Sequence, residues 1–363
     1  MNVERLPVRH HERVAVLLNA NAGAVTDRLR RDLENFVPPE DIFYSRTIDD
    51  ARGIARTVLE RGYATVLTGG GDGTFVAYVN CLFEEAAESQ VVVSGGGAAQ
   101  LARHRFRIPR VGVLKLGTGN AVAEFCGSSA RRVGVVEDIL RARSGEVSES
   151  REVHLLDCEG KLAPFAGLGI DAAVLNDYVR VKRGLAGGKL QFVGAGGLGY
   201  FLSIVGRTIP GYLLQRGVPR VEVVNLGAPA RQIGPDGKPL GRDIARGEVI
   251  YRGPCRLAAA GSVPCYGFGF KMFPFARKSP GRFQLRISAM SLPKMLAQFP
   301  RIWRGHTPRS GLLDFHCDKI QISFDREMPL QVGGDAEGYR KQLVVGMADE
   351  PLELIDFSRP ASP

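Results

Sequence analysis

The chain has 363 residues, 44% hydrophobic and 24% charged, a size whose prior is about two domains and a composition that allows a core without disulfides or structural metal. Forty-eight Lys and Arg against 38 Asp and Glu give a net charge of +10, which favours anionic partners: a nucleotide or an anionic membrane surface, with peripheral association. No run has the pattern of an RNA-binding sheet or a zinc finger, so nucleic acid is set aside, and six scattered cysteines without a CxxC pair make neither a zinc site nor a disulfide framework.

Residues 1–13 are charged and lack an apolar core, so we expect no secretory signal and a cytoplasmic setting. From Val14 the sequence alternates strand and helix. Val14–Leu18 is an apolar run ending in Asn19 and Gly23; Thr26 is placed to cap a helix reaching Phe36. Ile42–Tyr44 suggests a second strand, Asp50–Glu60 a helix closed by Gly62, and Ala64–Thr68 a third strand that stops at Gly69, Gly70 and Gly71. Thr74–Glu85 is helical, Val111–Leu116 is another strand, and Gly117 leads to a short helix near Asn120. Such alternation implies a parallel sheet with helices on both faces, its ligands beyond the C-terminal strand ends.

A linking helix is expected over Arg132–Ala142, ended by Ser144 and Gly145. Beyond it, short β-like runs at Glu152–Leu156, Val221–Val224, Glu248–Tyr251, Phe283–Ile287, Lys319–Phe324 and Gln342–Val345 are separated by turn signals such as Pro235-Asp236-Gly237. Helical interruptions are expected near Ala172–Lys182 and Pro293–Trp303. The expected fold is thus α/β: a parallel α/β domain over residues 1–145, then a mainly antiparallel β domain over 146–363, whose end may pack back on the first. Leu190–Gly206 is uncharged but short and cut by glycines, and reads as a buried or lipid-contacting segment rather than a membrane span.

Two turns carry the chemistry. In Thr68-Gly-Gly-Gly71-Asp72-Gly73-Thr74 a strand enters a glycine turn that opens a helix, where backbone N–H groups approach a phosphate and the helix dipole favours negative charge. A carboxylate in such a turn is repelled by phosphate unless it meets a cation or a proton donor, so Asp72 points to a magnesium contact or a base. No Lys-Ser or Lys-Thr follows, so this is not a Walker A loop. A tight turn with a capping Asp is the plain alternative. Leu116-Gly117-Thr118-Gly119-Asn120 repeats the arrangement, with Asn120 a natural N-cap; together the two turns could hold a triphosphate from two sides.

These motifs, with Asn80 six residues after Thr74, resemble the GGDGT…N and GTGN motifs of the diacylglycerol, sphingosine and ceramide kinases. Asn19–Gly23 (NANAG) is similar to that family's first-strand loop, Gly167–Ala172 to its Gly-x-Asp-Ala segment, Gly267–Phe270 through Pro274 to Ala276 to its glycine-rich segment, and Asp335-Ala336-Glu337 to its DGE motif. The resemblance implies a nucleotide domain like that of NAD kinases, a C-terminal β-sandwich, ATP with Mg2+, and phosphoryl transfer to a lipid hydroxyl of diacylglycerol, a sphingoid base or ceramide. It places nucleotide phosphates at Gly70, Gly71, Asp72, Gly73, Thr74, Gly117, Thr118, Gly119 and Asn120, with Asn19 nearby. It implies a base at Asp72 in one branch and at Asp335, beside Glu337, in another, metal at Asp72, and a substrate head group at Asp171. A homodimer is compatible with the reading.

The chain departs from the family at Ala77 (usually Glu), Cys81 (Gly), Ala121 (often Asp) and Ala336 (Gly); if that last Gly needs a positive φ, Ala336 would strain the turn and displace Asp335. Gly194-Ala-Gly196-Gly-Leu-Gly199 matches a dinucleotide fingerprint, with Glu222 at suitable spacing, but lacks βα surroundings. His154, His306 and His316 show no metal-ligand spacing. An NAD kinase-like enzyme and a non-catalytic lipid-binding protein are the alternatives.

Overall fold

The computed structural model describes residues 13–88, 106–117, 119–147, 149–173, 217–308 and 310–358. The apolar 190–206 stretch and its glycine fingerprint lie outside them, as do Thr118 and all but the start of the helix expected near Ala172–Lys182. The chain divides into two compact units. One comprises residues 1–118, 126–152 and 352–363, the other 119–125 and 153–351.

The first unit is built on a six-stranded sheet. Strands β1 (Val14–Asn19), β2 (Ile42–Ser45), β3 (Thr65–Gly70) and β4 (Arg110–Lys115) alternate with helices α1 (Asp27–Glu34), α2 (Ile48–Glu60) and α3 (Asp72–Glu88). Strands β1 and β3 are almost wholly buried, as continuous apolar runs in a parallel sheet covered on both faces should be. Thr26 caps α1 by accepting from the Leu29 N–H, and Thr47 and Asp50 close a reciprocal capping box on α2. The helix α4 (Ala121–Phe125) is short, and α5 (Arg132–Ser144) ends on Gly145 at φ +76°.

The strand order is β2-β1-β3-β4-β18-β5, with β5 at Ser150–Val153 and β18 at Leu352–Ile355. The pairs β1–β2, β1–β3, β3–β4 and β4–β18 are parallel. From β1 the chain steps to one side through β2, then returns to the other side through β3. The C-terminal ends of β1 and β3 therefore flank a topological switch point, where open α/β sheets bind ligands. Asn19 ends one strand and Gly70 the other.

The second unit is antiparallel β, as expected. Its strands are β6 (Leu156–Cys158), β7 (Lys161–Ala163), β8 (Phe165–Gly169), β9 (Arg220–Asn225), β10 (Ala230–Ile233), β11 (Pro239–Ile244), β12 (Val249–Pro254), β13 (Leu257–Gly261), β14 (Phe283–Ser288), β15 (Leu312–Cys317), β16 (Lys319–Val332) and β17 (Asp335–Met347). They form one hydrogen-bonded network that branches at β16. The first half of β16 pairs with β9 and its last residues with β8, while register shifts between Ser323 and Met328 and between Pro329 and Gln331 let the long strand bend. Helix α6 (Leu292–Trp303) is the expected interruption.

Within this unit Arg286 and Asp314 form a wholly buried ion pair across β14 and β15. Gln284 Nε2 donates to Asp314, while Gln284 Oε1 accepts the Phe275 N–H at 2.7 Å and His316 Nε2 lies 2.8 Å from the Phe275 carbonyl. This network ties down the loop between β13 and β14, which carries Tyr266. Burial lowers the His316 pKa. Removing one partner leaves a buried charge unpaired, so Asp314→Ala should lower stability by about 3–5 kcal/mol in urea unfolding. A loss below about 1 kcal/mol would show that the pair carries no such weight.

Candidate functional site

In the first unit the two glycine turns pack against each other. A Cβ added to Gly117 would lie 2.1 Å from the Gly71 Cα and 2.4 Å from its nitrogen, closer than any side chain permits. Glycine is required here by space, since neither residue is among those with positive φ. The Leu116 N–H donates to the Gly70 carbonyl at 3.3 Å, fastening the end of β4 to the end of β3. A Cβ on Gly70 would lie 2.3 Å from Thr74 Oγ1, so the first turn of α3 folds down onto the strand end. Asn19 Nδ2 then donates to Thr74 Oγ1 at 2.8 Å, bridging the switch point, and Asn19 Oδ1 accepts the Asn21 N–H at 2.9 Å.

Asp72 is the first residue of α3, so the helix begins two residues before the expected Thr74 and includes Gly73. Its side chain is only 7% exposed, rather than projecting from an open loop. A carboxylate in the first turn of a 17-residue helix is favoured by the helix dipole. Asn80 lies on the same helix and donates from Nδ2 to the Val76 carbonyl. Thr118 lies outside the described residues. Gly119 and Asn120 belong to the second unit, directly before α4, and the Asn120 carbonyl accepts the Glu124 N–H as the first turn closes.

The second unit brings together Asp171, Tyr266, Gln331 and the turn before Asp335. Asp171 lies in the first turn of the helical segment that starts at Ile170 rather than before it. The Tyr266 hydroxyl makes a short hydrogen bond to Asp171 Oδ2. Gln331 Nε2 donates to the Tyr266 oxygen at 2.6 Å and reaches Asp171 Oδ2 at 3.5 Å, while Gln331 Oε1 accepts the Gly334 N–H at 3.0 Å. Asp171 Oδ1 is buried and has no hydrogen-bond partner among the described residues. Burial raises the Asp171 carboxyl above the usual carboxylate range, against hydrogen bonds from Tyr266, the Ala172 and Asp171 N–H groups and Gln331. Burial and the neighbouring Asp171 push the Tyr266 phenol well up. Tyr266 and Gln331 escaped the sequence reading, because no local pattern distinguishes either of them.

The turn joining β16 to β17 settles the question of Ala336. Gly333 and Gly334 take the positive φ values, +61° and +88°, while Ala336 lies in β17 opposite Gln331 and is not among the residues with positive φ. The substitution brings no backbone strain. Asp335 is exposed, yet the protein around it displaces enough water to raise its carboxyl; Lys161 counters that and Glu337 adds to it. Lys161 also forms a close ion pair with Glu337.

Residues 13–150 match the family model of the diacylglycerol kinase catalytic domain. Three solved structures from Bacillus anthracis strain Sterne are similar over nearly the whole chain. One, of a diacylglycerol kinase, shares 14% identity with a TM-score of 0.58, over 96% of this chain and 97% of that one. Two others, of proposed diacylglycerol kinases, share 15% with 0.61 over 96% and 98%, and 16% with 0.60 over 95% and 97%. At these identities the likeness is one of fold. No curated protein sequence matches the chain.

The glycine cradle fits phosphate, because at Gly70 and Gly117 the backbone leaves no room for a side chain. Among the described residues no three His, Cys, Asp or Glu cluster as a metal site. Magnesium is commonly held by one or two carboxylates together with substrate phosphates, so Asp72 alone is a suitable protein ligand.

Two tests follow from this geometry. Gly117→Ala should destabilise the protein by about 1–3 kcal/mol through overpacking and weaken ATP binding in calorimetry. Gly23→Ala, where an added Cβ meets nothing within 4 Å, should change neither, and equal behaviour of the two variants would deny the close contact its role. For Asp171, a carboxyl raised in the folded state makes its own ionisation cost stability. That cost is absent below the unfolded pKa of about 3.9 and complete above the folded value. Asp171→Asn should therefore raise the melting temperature at about pH 8 and give little gain at about pH 3.5. The reverse pattern would mean that the ionised carboxylate is the stabilised form.

Proposed function

We propose that the protein is an ATP- and magnesium-dependent lipid kinase that transfers the γ-phosphoryl group to a lipid hydroxyl. The supporting observation is the cradle at the switch point, where Gly70 and Gly71 pack on Gly117 and Asn19 holds Thr74. Gly70, Gly71, Gly73, Thr74, Gly117, Thr118, Gly119 and Asn120 bind the nucleotide phosphates in this reading, and Asn19 positions the turn. Asp72 would hold magnesium, which would supply positive charge to the phosphates. Transfer of this kind depends mostly on positioning and charge.

The acceptor oxygen forms a bond to the γ-phosphorus, the bond to the leaving ADP oxygen breaks, and the acceptor proton passes to a carboxylate. Asp72 and Asp335 are the two candidates for that base. The raised carboxyl of Asp335 brings its proton affinity closer to neutral pH, as suits a base, and Glu337 with Lys161 holds the strand beside it. Asp171, with one buried oxygen unpartnered among the described residues, recognises a donor on the lipid head group, an ammonium or a hydroxyl. The enzyme acts as a peripheral protein at an anionic membrane surface. No helix among the described residues is long and apolar enough to cross a membrane.

The reading is tested with Asp72→Asn and Asp335→Asn. The variant lacking the base should lose about two or more orders of magnitude in turnover, with ATP affinity changed far less and the thermal melt retained. If both variants fold and turn over lipid at near-normal rates, neither carboxylate takes the proton and the assignment fails.

A further inference from the structure

The net charge of the chain is carried almost wholly by one segment. Residues 249–313 hold eleven Lys and Arg and no Asp or Glu, whereas the whole chain has a net charge of +10. The segment folds within the second unit, where its 267–271 loop and α6 lie side by side. The Phe270 ring stacks on Trp303 at 5.2 Å with planes 8° apart and lies 5.9 Å from Phe299, and the Lys271 N–H donates to the Trp303 carbonyl at 3.0 Å.

The buried edge of α6 is set by Ile302, with Phe299 and Trp303 half-buried against the loop. Its outer face carries Pro293, Leu296, Ala297 and Pro300, all exposed and none polar, and Leu296 is 45% exposed. Exposed Lys294, Arg301 and Arg304 lie beside them, and Lys271 projects from the loop. None of these four cations pairs with a carboxylate among the described residues. At the loop tip Phe268 is 38% exposed and holds φ +54°, one of only two non-glycine residues with positive φ among those described. An aromatic residue in that conformation costs energy and displays its ring to solvent. Glu124 accepts the Gly269 N–H at 2.7 Å, so the carboxylate facing the loop is used in holding it.

We propose that this surface, the 267–271 loop and the outer face of α6, docks the protein on an anionic lipid bilayer. Phe268 and Leu296 enter the interface, while Lys271, Lys294, Arg301 and Arg304 meet lipid phosphates. A helix with an apolar outer face flanked by cations lies in the plane of a membrane surface, and the basic residues confine it to anionic lipid. An acidic protein partner would satisfy the cations but not the exposed apolar side chains of Phe268 and Leu296. The purpose of docking rests on the lipid kinase reading, whereas the docking itself is measured without turnover.

The experiment is cosedimentation of the purified full chain with phosphatidylglycerol-containing vesicles and with pure phosphatidylcholine vesicles, at low and high salt. The wild type should bind the anionic vesicles, weakly at high salt, and leave neutral vesicles alone. Phe268→Asn with Leu296→Gln, and separately Lys294→Glu with Arg301→Glu, should each reduce the partition coefficient about tenfold or more while melting normally. Asn tolerates the Phe268 conformation, which guards the fold. A control, Arg28→Glu with Arg246→Glu, changes net charge equally on exposed positions elsewhere and should bind nearly as the wild type does. The proposal is overturned if the wild type stays in solution, if the control loses as much as the charge variant, or if the apolar variant binds unchanged. Phosphorylation of detergent-dispersed lipid by the docking variants separates the two ideas. Its persistence with vesicle binding lost upholds both, and its absence in the wild type rejects the kinase reading alone.

Discussion

The contact between Gly71 and Gly117 sets the geometry of the glycine-turn site. Two strand ends of a parallel sheet can bring their turns this close only if residue 117 has no Cβ, and the gap of 2.1 Å between a hypothetical Cβ there and the facing Gly71 Cα leaves no room for adjustment. The consequences run outward from that contact. The Leu116 N–H reaches the Gly70 carbonyl, Thr74 folds onto Gly70, and Asn19 crosses the switch point to hold Thr74. The result is a wall of backbone at the N-terminus of α3, with Asp72 buried in the first turn.

The second unit uses polar groups in the opposite way. It holds its charged and hydroxyl side chains inside a β framework and spends hydrogen bonds to orient them. Arg286, Asp314 and Gln284 fix the loop that brings Tyr266 to Asp171, and Gln331 links that pair to the turn before Asp335. Two carboxyls raised by loss of water, Asp171 and Asp335, are thus connected through one tyrosine, one glutamine and a glycine turn. Perturbed carboxyls arranged around a shared network are a common mark of functional sites.

Much of this was legible in the sequence. Apolar runs separated by capped helices announced the parallel sheet, and turn-separated runs announced the antiparallel one. Among the strands that escaped were two built from small residues. Leu257–Gly261 (LAAAG) and Phe165–Gly169 (FAGLG) have no alternation and few β-branched residues, because they pack too closely to carry any. A Cβ on Gly261 would lie 2.3 Å from Phe273, and one on Gly167 2.9 Å from the Ala259 side chain. The expected run Glu152–Leu156 divides into β5 and β6, which join different sheets, and no residue there signals the break. Of the site, the glycine turns were visible because their constraint is local. The Asp171–Tyr266–Gln331 network was not, since its members are brought together by three separate strands and loops.

The central claim is that the cradle holds ATP for transfer to a lipid hydroxyl. It is tested most directly by incubating the purified wild-type chain with γ-labelled ATP and magnesium in the presence of diacylglycerol, monoacylglycerol, sphingosine, ceramide or NAD, and separating the products. The account predicts label on at least one of the lipids and none on NAD. Label on NAD alone, or no transfer to any acceptor, would contradict it.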